Sequence, residues 1–339
     1  MGTTLGIFMG YCVCYGSYHN YSDARQWRIP VGLSFAWAII SMFGTILAPE
    51  SPRFLVQKGK IEMAKESIAK INRAQNNSTI VLDELNNLME AIELENQTGK
   101  PNWKEFFTGK PKIFFRVTMG VVLDSLQQLT GNTYFFYYAT STFKSVGLTD
   151  GFMTSIILGV DNFASTFVAL YIIDHLGRRK TLMSGSAGML ACMAAYSILG
   201  VVALYPKEYG VDPKKPIGDA MIFFCCLFIF FFATTWGPGV YVIVGESYPL
   251  RIRADAIAIA TAGNWIWGFL IAFFTPIITN VIHFAYGFVF VGTAAFELVF
   301  VFTCVPETKG MCLEDVDELY EHFTPGLAFR TKQTAKNNT

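Results

Sequence analysis

The sequence predicts an all-α membrane protein, and three observations support that prediction. Just over half of the residues (52%) are apolar, and phenylalanine alone occurs 31 times. A membrane-crossing helix needs about 20 mostly apolar residues, and the chain offers several stretches of that kind. Lysine and arginine are concentrated on alternate connections between these stretches, as the positive-inside rule requires of cytosolic segments.

Eight membrane spans are expected along the chain. Six are long and strongly apolar: residues 29–48, 155–173, 181–204, 221–244, 257–279 and 288–305. Two more are less typical. The stretch at residues 4–18 is short for a membrane span, and the stretch at residues 117–138 includes the polar residues Asp124, Gln127, Gln128 and Asn132. Polar side chains inside a bilayer-length helix are expensive, so they indicate a binding site at membrane depth.

The net charge of zero conceals where the charges lie. Of the 26 lysines and arginines, 20 fall on one set of alternating connections. By the positive-inside rule that set faces the cytosol. Both termini then face the cytosol too, which agrees with an even number of spans.

A long polar segment separates the first two spans from the last six. Within it, residues 61–71 and 80–94 carry apolar side chains at helical spacing, which predicts two or three short amphipathic helices under the membrane. Residues 313–323 of the tail repeat that pattern. The predicted divisions are residues 1–48 (two spans), 49–112 (cytosolic linker), 113–305 (six spans) and 306–339 (cytosolic tail).

The sequence contains no recognisable motif for metal binding, ATP binding or enzyme catalysis. The seven cysteines form no metal-ligand pattern with histidine, so no metal site is expected. No phosphate-binding loop for ATP occurs, and no nucleophile–base arrangement points to an enzyme. We therefore expect no cofactor and no nucleic-acid partner, and the lipid bilayer as surroundings.

Five short motifs follow one another beside or inside the spans. They are PESPRFL (49–55), QQLTGNTYFFYY (127–138), LGRRK (176–180), GNWIWGF (263–269) and VPETKG (305–310). In this order they resemble the motifs of the sugar porter branch of the major facilitator superfamily. Their detailed amino-acid sequences are similar to those of fungal hexose transporters. The resemblance implies a major-facilitator fold of two six-helix bundles with the substrate between them. It also implies an N-terminally truncated version with the last two spans of the N-bundle and all six of the C-bundle.

The resemblance assigns hexose contacts to polar and aromatic residues inside the spans. Side-chain amides suit a sugar because they both donate and accept hydrogen bonds without carrying charge, and an aromatic ring packs on the sugar's apolar face. The expected substrate-binding residues are Gln127, Gln128, Thr133, Tyr137, Asn162, Asn264 and Trp265. The alternative for the amides is that they hold neighbouring helices together.

The resemblance also implies gates. Pro238 lies in a Gly-Pro-Gly sequence that interrupts the tenth span of the family's numbering, because proline removes a helical hydrogen bond. Charged residues expected to pair on the cytosolic side are Glu50, Asp174, Arg178, Arg179, Glu246 and Arg253. The alternative for the basic residues is that they only orient the chain in the membrane.

Three positions depart from the family pattern. Thr133 stands where the family has asparagine, and Asn132 lies one residue earlier, which on a continuous helix points about 100 degrees away. His175 replaces an arginine of the cytosolic gate. Asp161 replaces an apolar residue at mid-membrane, where an ionisable side chain is costly. We interpret it as a substitution that damages the protein or as a protonated acid, rather than as part of a proton relay.

Facilitated diffusion of a hexose of the glucose, fructose or mannose type, by alternating access at the plasma membrane, is the expected function. A shortened chain is expected to transport poorly or not at all. Two alternatives stay open: a non-transporting remnant or pseudogene product, and a sugar sensor or interaction protein of the same fold. The short tail after VPETKG disfavours the sensor.

The predicted topology places Asn20, in the sequon Asn20-Tyr21-Ser22, on the outer side. The sequon at Asn96 lies in the cytosolic linker and should stay unmodified. Treatment with a glycosidase should therefore increase the gel mobility of the wild-type chain and of N96Q, but not of N20Q. A glycan on the linker would contradict the topology.

Overall fold

The computed structural model describes residues 2–76, 78–98, 103–135, 151–204, 215–249, 251–311, 313–324, 326 and 328. Helices account for the regular structure throughout these residues, which confirms the all-α prediction. The chain divides into two compact units. One combines Met1–Ser22 with Trp103–Thr339, and the other is Asp23–Asn102; we call them the first and second unit.

The second unit contains one long helix and three shorter ones: α2 (Arg25–Leu47), α3 (Pro52–Gln57), α4 (Ile61–Asn72) and α5 (Thr79–Thr98). The short helices share a small apolar core made by Leu55, Ala64, Ile68, Ala69, Val81 and Leu85. The apolar residues at helical spacing in the linker thus face one another, as the pattern predicts. No residue of α2 is buried, which suits a helix surrounded by lipid.

The first unit holds the remaining helices. They are α1 (Gly2–Asn20), α6 (Glu105–Thr108), α7 (Ile113–Leu129), α8 (Gly151–Leu176), α9 (Arg178–Leu199), α10 (Lys215–Phe231), α11 (Gly237–Ser247), α12 (Arg253–Ile282), α13 (Gly287–Cys304) and α14 (Leu313–His322). A π-helical segment, Phe232–Trp236, joins α10 to α11 without a break. Helix α1 packs on α8, α7 packs on α11 and α12, and α9 packs on α10 and α13.

Five helical stretches in the described residues are long and apolar enough to cross a membrane. They are Arg25–Leu47, Phe152–Leu176, Arg178–Val202, Pro216–Ser247 and Arg253–Cys304. The last stretch contains both α12 and α13, so all six of the clearly apolar predicted spans are represented. The two less typical stretches are helical as well, but α1 and the 17 residues of α7 do not meet the same measure of length and apolarity.

The end of the bundle that carries the tail is organised around a buried cation. The Arg116 side chain is 1% exposed, and its guanidinium lies 2.6 Å from a carboxylate oxygen of Asp317 in α14. Arg116 also donates a hydrogen bond to the Ser247 carbonyl at the end of α11, and it stacks over the Tyr320 ring at 4.5 Å. One side chain of α7 therefore holds α11 and α14 in place.

Helices α7 and α11 approach closely where Tyr248 lies against Gly120. A Cβ atom on Gly120 would come within 1.8 Å of the Tyr248 hydroxyl oxygen. The ring cannot retreat, because Tyr248 is completely buried. The contact between these two helices therefore requires glycine at this position.

Replacing Gly120 with alanine should lower the free energy of unfolding by about 1–3 kcal/mol, because the added methyl overpacks the seam between α7 and α11. The measurement is thermal unfolding of the purified chain in detergent. The matched control is G245A in α11, where a Cβ meets nothing within 4 Å. Equal melting temperatures for the two variants would contradict the proposed close contact.

Candidate functional site

Four polar side chains form a series of hydrogen bonds, which we call the amide network: Gln127 and Gln128 of α7, Thr133 just after α7, and Asn264 of α12. Asn264 Nδ2 donates to Gln127 Oε1 at 2.9 Å, and Gln128 Nε2 donates to Asn264 Oδ1 at 2.8 Å. Thr133 Oγ1 donates to Gln128 Oε1 at 2.9 Å. The network joins three of the expected hexose-binding amides inside the bundle.

Gln127 extends the network to the π-helical segment. Its Nε2 atom donates to the Trp236 carbonyl at 2.9 Å and to the Gly237 carbonyl at 3.0 Å. Phe232–Trp236 is a π-helical turn, and α11 begins at Gly237 with Pro238 as its second residue. The interruption predicted at Pro238 is therefore a change of helix type, and Gln127 ties α7 to the backbone on both sides of that change.

A cavity of about 720 Å³ lies beside the network. Its amide groups come from α7, from its continuation after Gly131, and from α8. Its other walls come from the π-helical segment, α11, α12 and α1, and these include the hydroxyl groups of Thr3, Thr4, Tyr11 and Tyr241. The lining residues are Thr3, Thr4, Ile7, Tyr11, Gln128, Asn132, Thr133, Asn162, Thr166, Phe232, Ala233, Gly237, Pro238, Tyr241 and Trp265. Small-molecule sites are commonly concave and of this size, with a few polar groups on an apolar wall.

The structure distributes the expected substrate-binding residues unevenly around this cavity. Gln128, Thr133, Asn162 and Trp265 line it. Gln127 and Asn264 are 6% and 4% exposed and lie behind the lining, in the amide network. Trp265 is 72% exposed and so reaches out from α12. The remaining expected contact, Tyr137, lies outside the described residues.

The backbone of α7 changes course just before Asn132. Helix α7 ends at Leu129, Gly131 adopts a positive φ of 92°, and residues 132–135 are helical again. Asn132 and Thr133 lie in the same short helical segment, so the rotation of about 100 degrees between their side chains still applies. Both side chains line the cavity, and among the described residues Asn132 Oδ1 has no hydrogen-bond partner.

Two of the expected gating residues, Arg178 and Glu246, pair where α9 begins and α11 ends. Arg178 binds Glu246 through two guanidinium nitrogens, with Nη2 at 2.8 Å and Nε at 3.1 Å from Oε1. The Thr308 hydroxyl donates to the other oxygen of Glu246 at 2.6 Å. Glu307 accepts the backbone N–H groups of Arg178 and Arg179 at 2.8 and 3.2 Å. A carboxylate at these N–H groups stabilises the start of α9.

The other expected gating residues have separate surroundings. Arg179 donates to the Phe302 carbonyl at 2.6 Å, and Arg253 donates twice to the Tyr248 carbonyl, at 2.9 and 3.1 Å. Asp174 is exposed, within electrostatic range of Arg178. Glu50 belongs to the second unit, where its carbonyl accepts the Ser67 hydroxyl.

Two further positions singled out in the sequence are at the surface. His175, which departs from the family pattern, accepts the Lys309 ammonium group on its backbone carbonyl at 2.8 Å. Asn20, the expected glycosylation site, is exposed at the end of α1, and its Nδ2 donates to the Gly16 carbonyl at 2.8 Å.

Sequence reasoning missed two parts of this arrangement. Glu307 and Thr308 belong to the VPETKG motif, yet the sequence did not indicate that they bond to Arg178, Arg179 and Glu246. Arg116 was counted only as one of the positive charges that orient the chain. A useful signal for Arg116 would have been the acidic, amphipathic tail segment, which supplies Asp317.

This chain matches a known protein family. The profile of the family described as sugar (and other) transporter matches residues 1–320. The low-affinity glucose transporter of Kluyveromyces lactis is 52% identical over 319 residues, covering 94% of this chain and 56% of that protein. Hexose transporter HXT8 of Saccharomyces cerevisiae is also 52% identical, with the same coverage of both chains.

A solved structure shares the fold. The structure of the major facilitator proton:xylose symporter XylE bound to 6-bromo-6-deoxy-D-glucose matches with a TM-score of 0.71 and 26% identity. That match covers 94% of this chain and 66% of XylE. The chain thus spans a little over half the length of the curated relatives it matches, and its described helices have the arrangement of part of a major-facilitator fold.

Replacing Gln127 with alanine should destabilise the chain by about 1–3 kcal/mol, because it removes the two hydrogen bonds that tie α7 to the π-helical segment and to α11. Q127E should be at least as harmful, since a carboxylate would face the same two carbonyls. Thermal unfolding in detergent measures both variants, with Q57A at an exposed position of α3 as the control. Wild-type stability of Q127A would show that Gln127 does not support the π-helical segment.

Proposed function

Because this chain belongs to the sugar (and other) transporter family, we propose that it binds a hexose in the cavity of its first unit. The binding serves transport of the sugar across the membrane by alternating access, with downhill movement of the hexose as in facilitated diffusion. The relatives named above, a glucose transporter and a hexose transporter, support a hexose as the substrate class. We also propose the plasma membrane as its location, with both termini in the cytosol.

The observation that carries the proposal is the combination of uncharged amides and an exposed tryptophan around one cavity. Gln128, Asn132 and Asn162 present amide groups from α7, its continuation and α8. A hexose hydroxyl is both donor and acceptor, so an amide can satisfy it without the desolvation penalty of a charge. Trp265 offers an apolar face on the same wall.

The amide network supports a role in discrimination as well. In the structure, Gln128 is held on both sides, by Asn264 and by Thr133. These two contacts use one N–H group and one lone pair of the amide, so a second N–H group and a second lone pair remain for hydroxyl groups of a ligand. Sugars that lack the matching hydroxyl would leave buried amides unpaired, and such sites reject analogues strongly.

The gates of the proposal are the charged cluster and the π-helical segment. We propose that Arg178, Arg179, Glu246 and Arg253, together with Asp174 and Glu50, form and release contacts as the transporter switches. Pro238 lies next to the change of helix type and on the cavity wall, so a movement of α11 there would alter the cavity directly.

Purified chain in detergent should bind radiolabelled glucose saturably, and Q128A should weaken the binding at least about tenfold, because one buried hydrogen-bonding group is worth about 1.4 kcal/mol or more. Equilibrium dialysis measures the dissociation constant. Q57A in the second unit is the control and should bind like wild type. If the wild-type chain binds no glucose, or if Q128A binds as well as Q57A, the proposed hexose site is wrong.

A further inference from the structure

Three large aromatic side chains are exposed where the chain enters α7. Trp103 is 69% exposed, Phe107 is 68% exposed and Phe114 is 54% exposed. The rings of Phe107 and Phe114 stack at a centroid distance of 5.9 Å. Two exposed lysines, Lys104 and Lys110, alternate with the aromatic residues along the chain. We call these five residues the α6 patch. They belong neither to the amide network nor to the lining of the cavity.

The inner side of this short stretch is fixed by the core of the first unit. Phe106 and Ile113 are buried in that core, and α6 packs on α7. The turn at Gly109 is tight, because a Cβ atom there would come within 2.5 Å of the Glu105 carbonyl oxygen and of Ile113 Cδ1. The Glu105 carboxylate is also paired with Arg251 at 2.9 Å. The α6 patch is therefore the outer side of a well-packed segment.

The patch continues the outer face of α7. Phe114 lies in the first turn of that helix, and Thr118, four residues later, is exposed as well. Positions four apart lie on one side of a helix, so this side of α7 faces away from the bundle and toward lipid. Because Phe107 stacks on Phe114, the same surface extends past the start of α7. It therefore reaches the level of the lipid headgroups, where aromatic residues of membrane proteins concentrate.

The charge of the patch is positive. Residues 103–114 contain three lysines and a single acid, Glu105, and that acid has a basic partner of its own. Lys112 donates to the Phe323 carbonyl of the tail, so Lys104 and Lys110 are the lysines on the exposed side. Basic segments beside a membrane span are attracted to the anionic lipids of the cytosolic leaflet. The positive-inside rule assigns this end of α7 to that leaflet.

We propose that the α6 patch binds an anionic phospholipid of the cytosolic leaflet. Lys104 and Lys110 hold the phosphate and the negative headgroup, and the acyl chains lie along Phe107 and Phe114. Trp103 lies at the level of the headgroup, as tryptophans at membrane surfaces do. The site is separate from the cavity and does not depend on hexose binding. It rests only on the cytosolic orientation proposed for this end of α7.

Phosphatidylserine and phosphatidylcholine with identical acyl chains test the role of the lysines, because only the first has a net negative charge. The purified full chain in neutral detergent should bind phosphatidylserine at least about tenfold more tightly, since each lysine near an anionic lipid contributes about fivefold. Native mass spectrometry measures both affinities. K104Q/K110Q should lose the preference. The matched control, K58Q/K60Q, removes two exposed lysines of the second unit and should keep it.

The same measurement tests the role of the aromatic rings. F107S should weaken the binding of both lipids at least about fivefold, because both lose apolar contact with the ring, and the ratio of the two affinities should stay the same. The matched control is F223S, at an exposed position of α10, and it should bind both lipids like the wild type. Glycerophosphoserine carries the headgroup without acyl chains and should not displace bound phosphatidylserine at the same concentration.

Equal affinities of the wild-type chain for the two lipids, or an unchanged preference in K104Q/K110Q, overturn the proposal. An equal loss of preference in K58Q/K60Q overturns it too, because total charge rather than the α6 patch would then select the lipid. Effective displacement by glycerophosphoserine shows a site for small anions and overturns the assignment to a phospholipid. All replaced side chains are exposed, so thermal unfolding should show wild-type stability for every variant. No sugar is present, so the result is separate from that of the hexose site.

Discussion

The hydrogen bonds from Gln127 to the carbonyls of Trp236 and Gly237 determine how the rest of the first unit can be arranged. These two carbonyls lie where the π-helical segment passes into α11, at the turn that contains Pro238. One amide from α7 thus fixes the distance between α7 and this change of helix type. The same amide accepts a hydrogen bond from Asn264, so α7, α11 and α12 are joined at a single depth.

This arrangement reconciles two interpretations of the amides that the sequence left open. Gln127 and Asn264 have their polar atoms bonded to protein groups, which is the behaviour of residues that hold helices together. Gln128, Asn132 and Asn162 line the cavity, which is the behaviour of ligand contacts. In the proposed hexose site, Gln127 only holds helices together, whereas Gln128 both bonds to Asn264 and faces the cavity, because adjacent positions on a helix face different directions.

Much of the fold could be predicted from the chain because it depends on local patterns. Span lengths follow from bilayer thickness, and the helices of the second unit follow from apolar residues at helical spacing. The helix type at Phe232–Trp236 could not be predicted, since Gly-Pro-Gly suggests a break and the residues that pack on the segment come from distant parts of the chain. The contribution of Asn132 to the cavity lining could not be predicted, because it depends on the turn at Gly131 that sets the direction of residues 132–135. The environment of Arg116 was missed because its partners come from α11 and α14, far along the chain.

The contact between Arg116 and Asp317 has a consequence for the order in which the molecule can be completed. Ribosomes make α7 well before α14, so during synthesis the guanidinium has no counter-ion from the tail. A buried cation without its partner is unfavourable by several kcal/mol. Helix α7 therefore reaches its final packing only after the segment that carries Asp317 has been made. A polypeptide that stopped before Asp317 would retain a polar defect between α7 and α11.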